Sequence, residues 1–379
     1  MTLCLSLVLL ISVLSAVQLL WGLSGQARLD NRSVPQREDW PSLSLVVAAR
    51  NEERHLARAL ETWAQLDYPK LEMIVVDDRS EDGTTTILEA QRQRDPRLKS
   101  LRVDALPPGW LGKNHALHLG AQAASGDWLL FADGDVLMKP EILRKAVGHA
   151  LDEKLDHLTL LVRIWSRSWI LQPFIAFFGF AFCLHTRPWE AKNPHSKRHI
   201  GIGAFNLVRR TAYAAIGGHQ AVALRPDDDL RLGKALKEAG FRQECAIAVR
   251  SASVEWYASF AEAARGLEKN LFAGLDYRTS LAIAGFLVPP LLFSLPALWI
   301  FVGNPTSSAL AQASYAVTSL AVGVAAGGAG QSPLWGFLHP VTALVFSGLG
   351  FRTIFKNLRD GGIYWRGTFY PLSELKKGK

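Results

Sequence analysis

Between Leu281 and Phe351 the chain runs for 71 residues without one Asp, Glu, Lys or Arg. A stretch that long and uncharged suits a bilayer, which takes about 20 apolar residues per helical crossing. Candidate spans lie near residues 281–302, 308–326 and 333–351. Residues 3–23 are also uncharged and long enough to cross. No Lys or Arg precedes them, so they lack the basic start of a secretory signal and read as a retained anchor, residues 1–24. Arg28, Arg32 and Arg37 follow, which by the positive-inside rule places the next segment in the cytoplasm. Arg352, Lys356, Arg359, Arg366, Lys376, Lys377 and Lys379 place the tail, residues 352–379, on the same side. The membrane region 281–351 must then hold an even number of crossings. Its candidates break that parity, so one is re-entrant or Pro289-Pro290 splits the first.

Residues 41–280 carry ordinary charge and suffice for a substantial core. The chain is therefore neither wholly soluble nor built of spans throughout, and 49% hydrophobic residues with 12 Trp exclude disorder. It reads as a soluble domain held to a lipid bilayer. The net charge of +8 is matched by no RNP, zinc-finger or helix-turn-helix pattern, so nucleic acid is not expected as a partner. Attraction to anionic lipid accounts for it. Cys4, Cys183 and Cys245 form no CxxC and fit a reduced compartment.

From Leu43 onward, apolar runs alternate with helical spacing. Leu43–Ala49, Leu71–Val76, Leu98–Val103 and Trp128–Ala132 read as strands; Glu52–Gln65, a segment from Thr84, and Gly112–Ala124 read as helices. Strands at roughly 30-residue intervals with helices between them predict an α/β, Rossmann-like, mainly parallel sheet with helices on both faces. Ligands of such sheets gather at the carboxyl ends of the strands. Residues 169–184, interrupted by Pro173, are short for a span and suit an interfacial or re-entrant helix.

Acids stand at those strand ends. Asp77-Asp78 can accept the N–H and O–H groups of a nucleoside, although a turn and helix cap around Ser80 and Asp82 explain the segment as well. Asp133-Gly134-Asp135 places two carboxylates on one face of an extended chain, roughly 6–7 Å apart. One can take a divalent cation while the other holds a ribose hydroxyl or a metal-bound water; Mg²⁺ and Mn²⁺ accept one or two carboxylates plus substrate phosphates. A DG turn is the plainer alternative. Asp227-Asp228-Asp229 precedes an apparent helix at Leu230–Ala239, where the macrodipole explains acids in part. Asp227, beside Pro226, has capping as its simplest duty, and an acid held near an acceptor can be a general base. Lys113 opens another helix, where a cation and free N–H groups meet phosphate. In the basic stretch His185–His199, Arg187, Lys192, Lys197 and Arg198 suit an acceptor headgroup, or an ordinary loop against anionic lipid.

In this order the motifs resemble those of the family 2 glycosyltransferases of GT-A fold. The likeness is strongest to membrane-anchored, lipid-modifying members: ceramide glucosyltransferase-like, hopanoid-associated and carotenoid glycosyltransferases. The segments that carry it are Ala48-Ala49-Arg50-Asn51-Glu52 (usually P-A-R-N-E), VVDDRSEDGT, GWLGKNHA, FADGD, GIGAFNLVRR, DDDLRLG, RGLEKNLFAGLDY and GGIYWRGTFYPL. They cover about residues 43–280 and the C-terminal end.

The resemblance implies Asn51 and Glu52 at the nucleotide edge, Asp77 and Asp78 on base and ribose, and Lys113 near the nucleotide. It implies Asp133 and Asp135 as the pair for Mn²⁺ or Mg²⁺, with Asp135 the direct ligand. Asp229 fits the D-x-x-L-G pattern as general base, with Asp228 beside it. The Q-x-x-R-W motif of processive synthases is absent; Arg265 and Lys269 stand near its place and are carried as acceptor-side candidates with Arg187 and Lys192. The implied activity is inverting transfer of one sugar from a nucleotide-diphosphate sugar to a membrane lipid, at the inner face of a bacterial cell membrane. A processive synthase and a non-catalytic membrane scaffold are the alternatives.

Overall fold

The computed structural model describes residues 1–378. Its strands are β1 (Leu43–Ala49), β2 (Leu71–Asp78), β3 (Leu98–Val103), β4 (Trp128–Asp133), β5 (Leu137–Met138) and β6 (His157–Leu161). They continue as β7 (Arg163–Trp165), β8 (Asn206–Arg209), β9 (Gln243–Ile247), β10 (Ala252–Glu255), β11 (Gly362–Trp365) and β12 (Thr368–Pro371). Seven form the central sheet in the order β3-β2-β1-β4-β8-β6-β9. Every neighbouring pair is parallel except those of β8, which runs against both β4 and β6. A smaller sheet, β5-β10-β7, flanks it.

Strand side chains alternate between two buried faces, which is why the runs read as continuously apolar. Leu45, Val47, Val75 and Leu130 meet Leu60 and Trp63 of helix Leu56–Ala64 and Ile142 of helix Ile142–Asp152. Val46, Val76 and Phe131 meet Leu117 of helix Gly112–Ala123 and Leu236 of helix Asp228–Glu238. The expected α/β sheet with helices on both faces is present. The helix expected from Glu52 begins only at Leu56, because Asn51 takes a left-handed φ of 52° and the residues after it are drawn into a loop.

Among the described residues four helices are long and apolar enough to cross a membrane: Thr2–Ser24, Thr279–Val302, Pro305–Gly328 and Pro333–Arg359. The second carries a π-turn at Pro290–Ser294, where consecutive prolines remove backbone donors. It leads away from the domain to the Gly303-Asn304 turn, and Pro305–Gly328 returns beside it and beside the N-terminal helix.

The last segment, at the candidate span 333–351, is long and apolar enough to cross but does not run straight. Gln331, before it, donates to the Ile164 carbonyl of β7 at 3.0 Å, so it starts at the domain. The chain then dips: Tyr315 donates to the Phe337 carbonyl, and His339 Nδ1 lies 3.3 Å from Ser319. Ser319 is about 13 Å along its helix from Gly328 at 1.5 Å per residue, roughly half a hydrocarbon core. Helix His339–Arg359 then climbs back, and Asn357 donates to the Glu268 carbonyl at 3.2 Å. Both ends of the segment therefore lie on the domain side.

The helix read from residues 169–184 forms as Leu171–Thr186 and buries Phe174, Phe177 and Phe180 between the domain and the apolar helices, against Trp256, Phe293 and Phe346.

Candidate active site

Sheet register gathers the acids. Ala49 of β1 pairs with Asp77 on one side, and Ala48 pairs with Asp133 on the other. The carboxyl ends of β2, β1 and β4 therefore open side by side.

Helix Gly112–Ala123 starts at this edge and sends Lys113 inward. Its Nζ lies 2.8 Å from Asp133 Oδ1 and 3.6 Å from Asp228 Oδ1. The next residue is Asn114, whose buried amide donates to the carbonyls of Val222, Ala223 and Arg225. One helix turn thus holds both the cation and the loop leading to the triple acid.

Each of those three acids has a different environment. Asp227 sits at the N-cap position, yet its side chain makes no cap. It takes a two-pronged ion pair from the fully buried Arg225, at 2.8 and 2.9 Å, and another from Arg231 at 2.9 Å. Capping, the expected duty, is thus overridden by a buried charge. Asp228 is buried between Lys113 and His219, whose Nε2 is 3.9 Å away. Burial, then Lys113, holds that imidazole down to about 3, so it faces Asp228 neutral.

Asp229 accepts the Gly203 N–H at 2.6 Å and the Leu230 N–H at 2.8 Å. Burial, and then the neighbouring Asp228, push its carboxyl up to about 7. The placement depends on two glycines. A Cβ on Gly201 would lie 1.7 Å from the Asp229 carbonyl oxygen, and one on Gly233 would lie 1.9 Å from that of Ile200. The segment before β8 and the acid-bearing helix touch backbone to backbone, which explains glycine in both GIGAF and DDDLRLG.

At the end of β4, burial would raise Asp133, but Lys113 outweighs it and holds the carboxyl below its usual range. Asp135 is pushed up to about 8 by burial, then by Asp133 and Glu52. Its Oδ1 is buried without a hydrogen-bond partner. Among the described residues no group of three or more His, Cys, Asp or Glu side chains could hold a metal alone. Two carboxylates, one carrying an unpartnered buried oxygen, fit a divalent cation completed by a ligand's phosphates.

Several expected residues are engaged within the protein. Asp77 takes the Ser80 N–H, the Thr85 hydroxyl and Arg102; Asp78 is clamped by Arg79 at 2.8 and 3.1 Å. Asn51 knits the first two loops, donating to Ser80 and accepting from Glu81. Of the acceptor-side candidates, Lys192 pairs with Glu153 and Glu244, and Arg187 with Glu190; among the described residues neither has an ion pair with the site acids. Arg265 is exposed. Lys269 does reach the site: burial, then Lys113, lowers it to about 8, and its Nζ lies 4.4 Å from the centroid of the Trp365 ring.

Residues 44–217 match the model described as glycosyl transferase family 2. The chain carries a family 2 glycosyltransferase domain. Over 273 residues, 71% of this chain and 68% of the relative, it is 26% identical to 4,4'-diaponeurosporenoate glycosyltransferase of Staphylococcus haemolyticus. Over 112 residues, 29% of this chain and 23% of the relative, it is 36% identical to beta-monoglucosyldiacylglycerol synthase of Synechocystis. A mannosyltransferase from Pyrobaculum calidifontis, solved with GDP-Man and Mn2+, superimposes with TM-score 0.58 over 95% of this chain and 99% of that one, at 18% identity. The glycosyltransferase domain thus has the GT-A fold the motifs implied.

Sequence reasoning gave Arg366, Tyr257, His219 and the Gly203 N–H no role in the site, Arg366 entering only through the basic tail and the GGIYWRGTFYPL segment. Arg366 pairs with Glu52 beside Asp135, and Tyr257 is raised by burial and by charges that include Asp135. Gly203 had a signal in the GIGAF run; His219 and Tyr257 had none.

Proposed function

We propose that this glycosyltransferase moves a single sugar, with inversion, from a nucleotide-diphosphate sugar to a hydroxyl or carboxyl of a membrane lipid. The observation that carries the reading is Asp229: a carboxylate with a raised pKa, fixed by Gly203 and sharing Lys113 with the Asp133 strand end. The apolar helices around the domain are long enough to hold it at a bilayer, and two relatives are named for diaponeurosporenoate and monoglucosyldiacylglycerol. Domain and tail face the cytoplasm of a bacterial cell membrane, with residues 279–302 and 305–328 as the C-terminal crossings.

Asp229 takes the acceptor proton as the acceptor oxygen bonds to the anomeric carbon from the face opposite the leaving diphosphate. The bond from that carbon to the diphosphate oxygen breaks, and the electron pair leaves with the phosphate. Lys113 orients the acids and lends positive charge at the strand end. Asp135 and Asp133 would hold Mn²⁺ or Mg²⁺, which supplies neutralisation of the departing charge.

Thermal-shift screening of purified full-length protein against nucleotide-sugars with Mn²⁺ identifies the donor. Incubation with lipid extract then yields one glycolipid carrying one sugar. A ladder of polymer products would replace this reading with a processive one, and no stabilisation by any nucleotide-sugar would remove it.

A further inference from the structure

After the membrane segment the chain returns to the strand ends as the hairpin β11–β12. Its loop is two residues, Arg366-Gly367, with φ of 49° and 79°. Positive φ at both positions is what a type I′ turn requires, and asparagine or glycine is favoured at the first. An arginine there sits in a sparsely populated region, and such outliers cluster where a side chain must be aimed. This arginine is aimed at the site. Its guanidinium donates to the Arg50 carbonyl and to the Glu52 carboxylate. Glu52 in turn packs against the link between Asp133 and Asp135, its Cγ 3.8 Å from where a Cβ on Gly134 would stand.

The hairpin is firmly seated. Tyr370 accepts the N–H of Gly112, at the start of the Lys113 helix, and Ile363 and Tyr370 are buried against Phe272. Arg366 itself keeps 42% of its side chain exposed, so it is reachable from the cleft. Asp133, Asp135, Asp228, Asp229 and Glu52 stand around that cleft with Lys113 and Lys269, and Lys113 is already paired to two of the acids, so an incoming diphosphate meets net negative charge unless a further cation faces it. A guanidinium offers a planar fork that matches phosphate oxygens.

We infer that Arg366 is a donor-binding residue whose guanidinium contacts the diphosphate of the nucleotide-sugar, with the C-terminal hairpin forming one wall of the donor site. The inference rests on the glycosyl-transfer reading. It differs from a purely structural role, in which Arg366 only ties the hairpin to Glu52.

Arg366→Asn separates the two, because asparagine suits the turn while the guanidinium is lost. Affinities of full-length protein for UDP, GDP, the corresponding monophosphates and the free nucleosides are measured by calorimetry with Mn²⁺. R366N should lose at least roughly tenfold in diphosphate affinity, the scale of a charge-assisted hydrogen bond, and little for the nucleoside. R366K should fall between, and the ligand-free melting temperature of R366N should match or exceed wild type. Diphosphate affinity of R366N within about twofold of wild type would overturn the inference. So would equal losses for diphosphate and nucleoside together with a lowered melting temperature. A wild-type protein that binds neither diphosphate defeats the underlying glycosyl-transfer reading instead.

Discussion

Lys113 Nζ stands 2.8 Å from Asp133 and thereby joins the strand end of one acid motif to the helix start of another. Asp229 is also under its field, which opposes the upward shift from burial and Asp228. Lys113→Gln should therefore raise the Asp229 pKa above about 7. A base works deprotonated, so the rate climbs with pH through its pKa, and raising that pKa moves the acidic limb to higher pH. Each unit costs roughly tenfold in rate below the limb. A pH–rate profile of the variant with an unmoved limb would show that Asp229 is not the titrating base.

Asp228→Asn should shift the same limb the other way, since it deletes the neighbouring charge that raises Asp229. Asp229→Asn should abolish transfer yet retain donor affinity, because the base serves the acceptor. Turnover and nucleotide affinity of both variants decide it: if Asp229→Asn turns over normally and Asp228→Asn does not, the base is Asp228.

Asp227→Asn is a stability variant. It leaves Arg225, 0% exposed, without its two-pronged counter-charge. Breaking a buried pair from one side costs about 3–5 kcal/mol; Asp276, 3.4 Å from Arg225, remains as a partner and draws the loss toward the lower end, still beyond the ~1 kcal/mol of a lost cap. Denaturant titration of the purified protein measures the difference, and a loss of only a cap's worth would return Asp227 to the capping role.

Asp135→Asn should leave melting temperature close to wild type while removing most activity. Burial, Asp133 and Glu52 push the carboxyl up to about 8, so it is largely protonated at neutral pH without metal; the amide therefore costs little stability and forfeits the cation. Activity should vanish equally in excess EDTA. Undiminished turnover of either preparation contradicts a metal at Asp135.

Topology is accessible by labelling single cysteines in a background without Cys4, Cys183 and Cys245. A cysteine at Asn304, in the turn far from the domain, should react with an impermeant reagent outside intact cells. Those at Ser33, Ser332 and Ser373 should react only after the membrane is opened. External labelling at Ser373 would mean an odd number of crossings.

The sheet was legible because its central strands are buried on both faces and so keep continuous apolar runs, with acids exactly where the runs stop being useful to a core. Asp133, Asp135 and Asp229 could be named from those stops and from the motif resemblance. The reversed β8 was not legible: Asn206–Arg209 is short and gives no direction. Nor was the half-depth turn at Pro333–Leu338, whose composition matches that of a span while its direction is set by contacts to Tyr315 and Ser319. The ion pairs of Arg187 with Glu190 and of Lys192 with Glu244 were not legible either, because charge on a loop carries no record of the acids it will meet.

The returning segment couples the site to the apolar helices. Residues 362–371 reach the strand ends only because the helices before them lead away from the domain and double back. A chain whose last helices are misplaced can still complete its seven-stranded sheet while lacking Arg366 at Glu52. If Arg366 meets the donor diphosphate, such a chain would be expected to draw on nucleotide-sugar less than one whose apolar helices are packed in place.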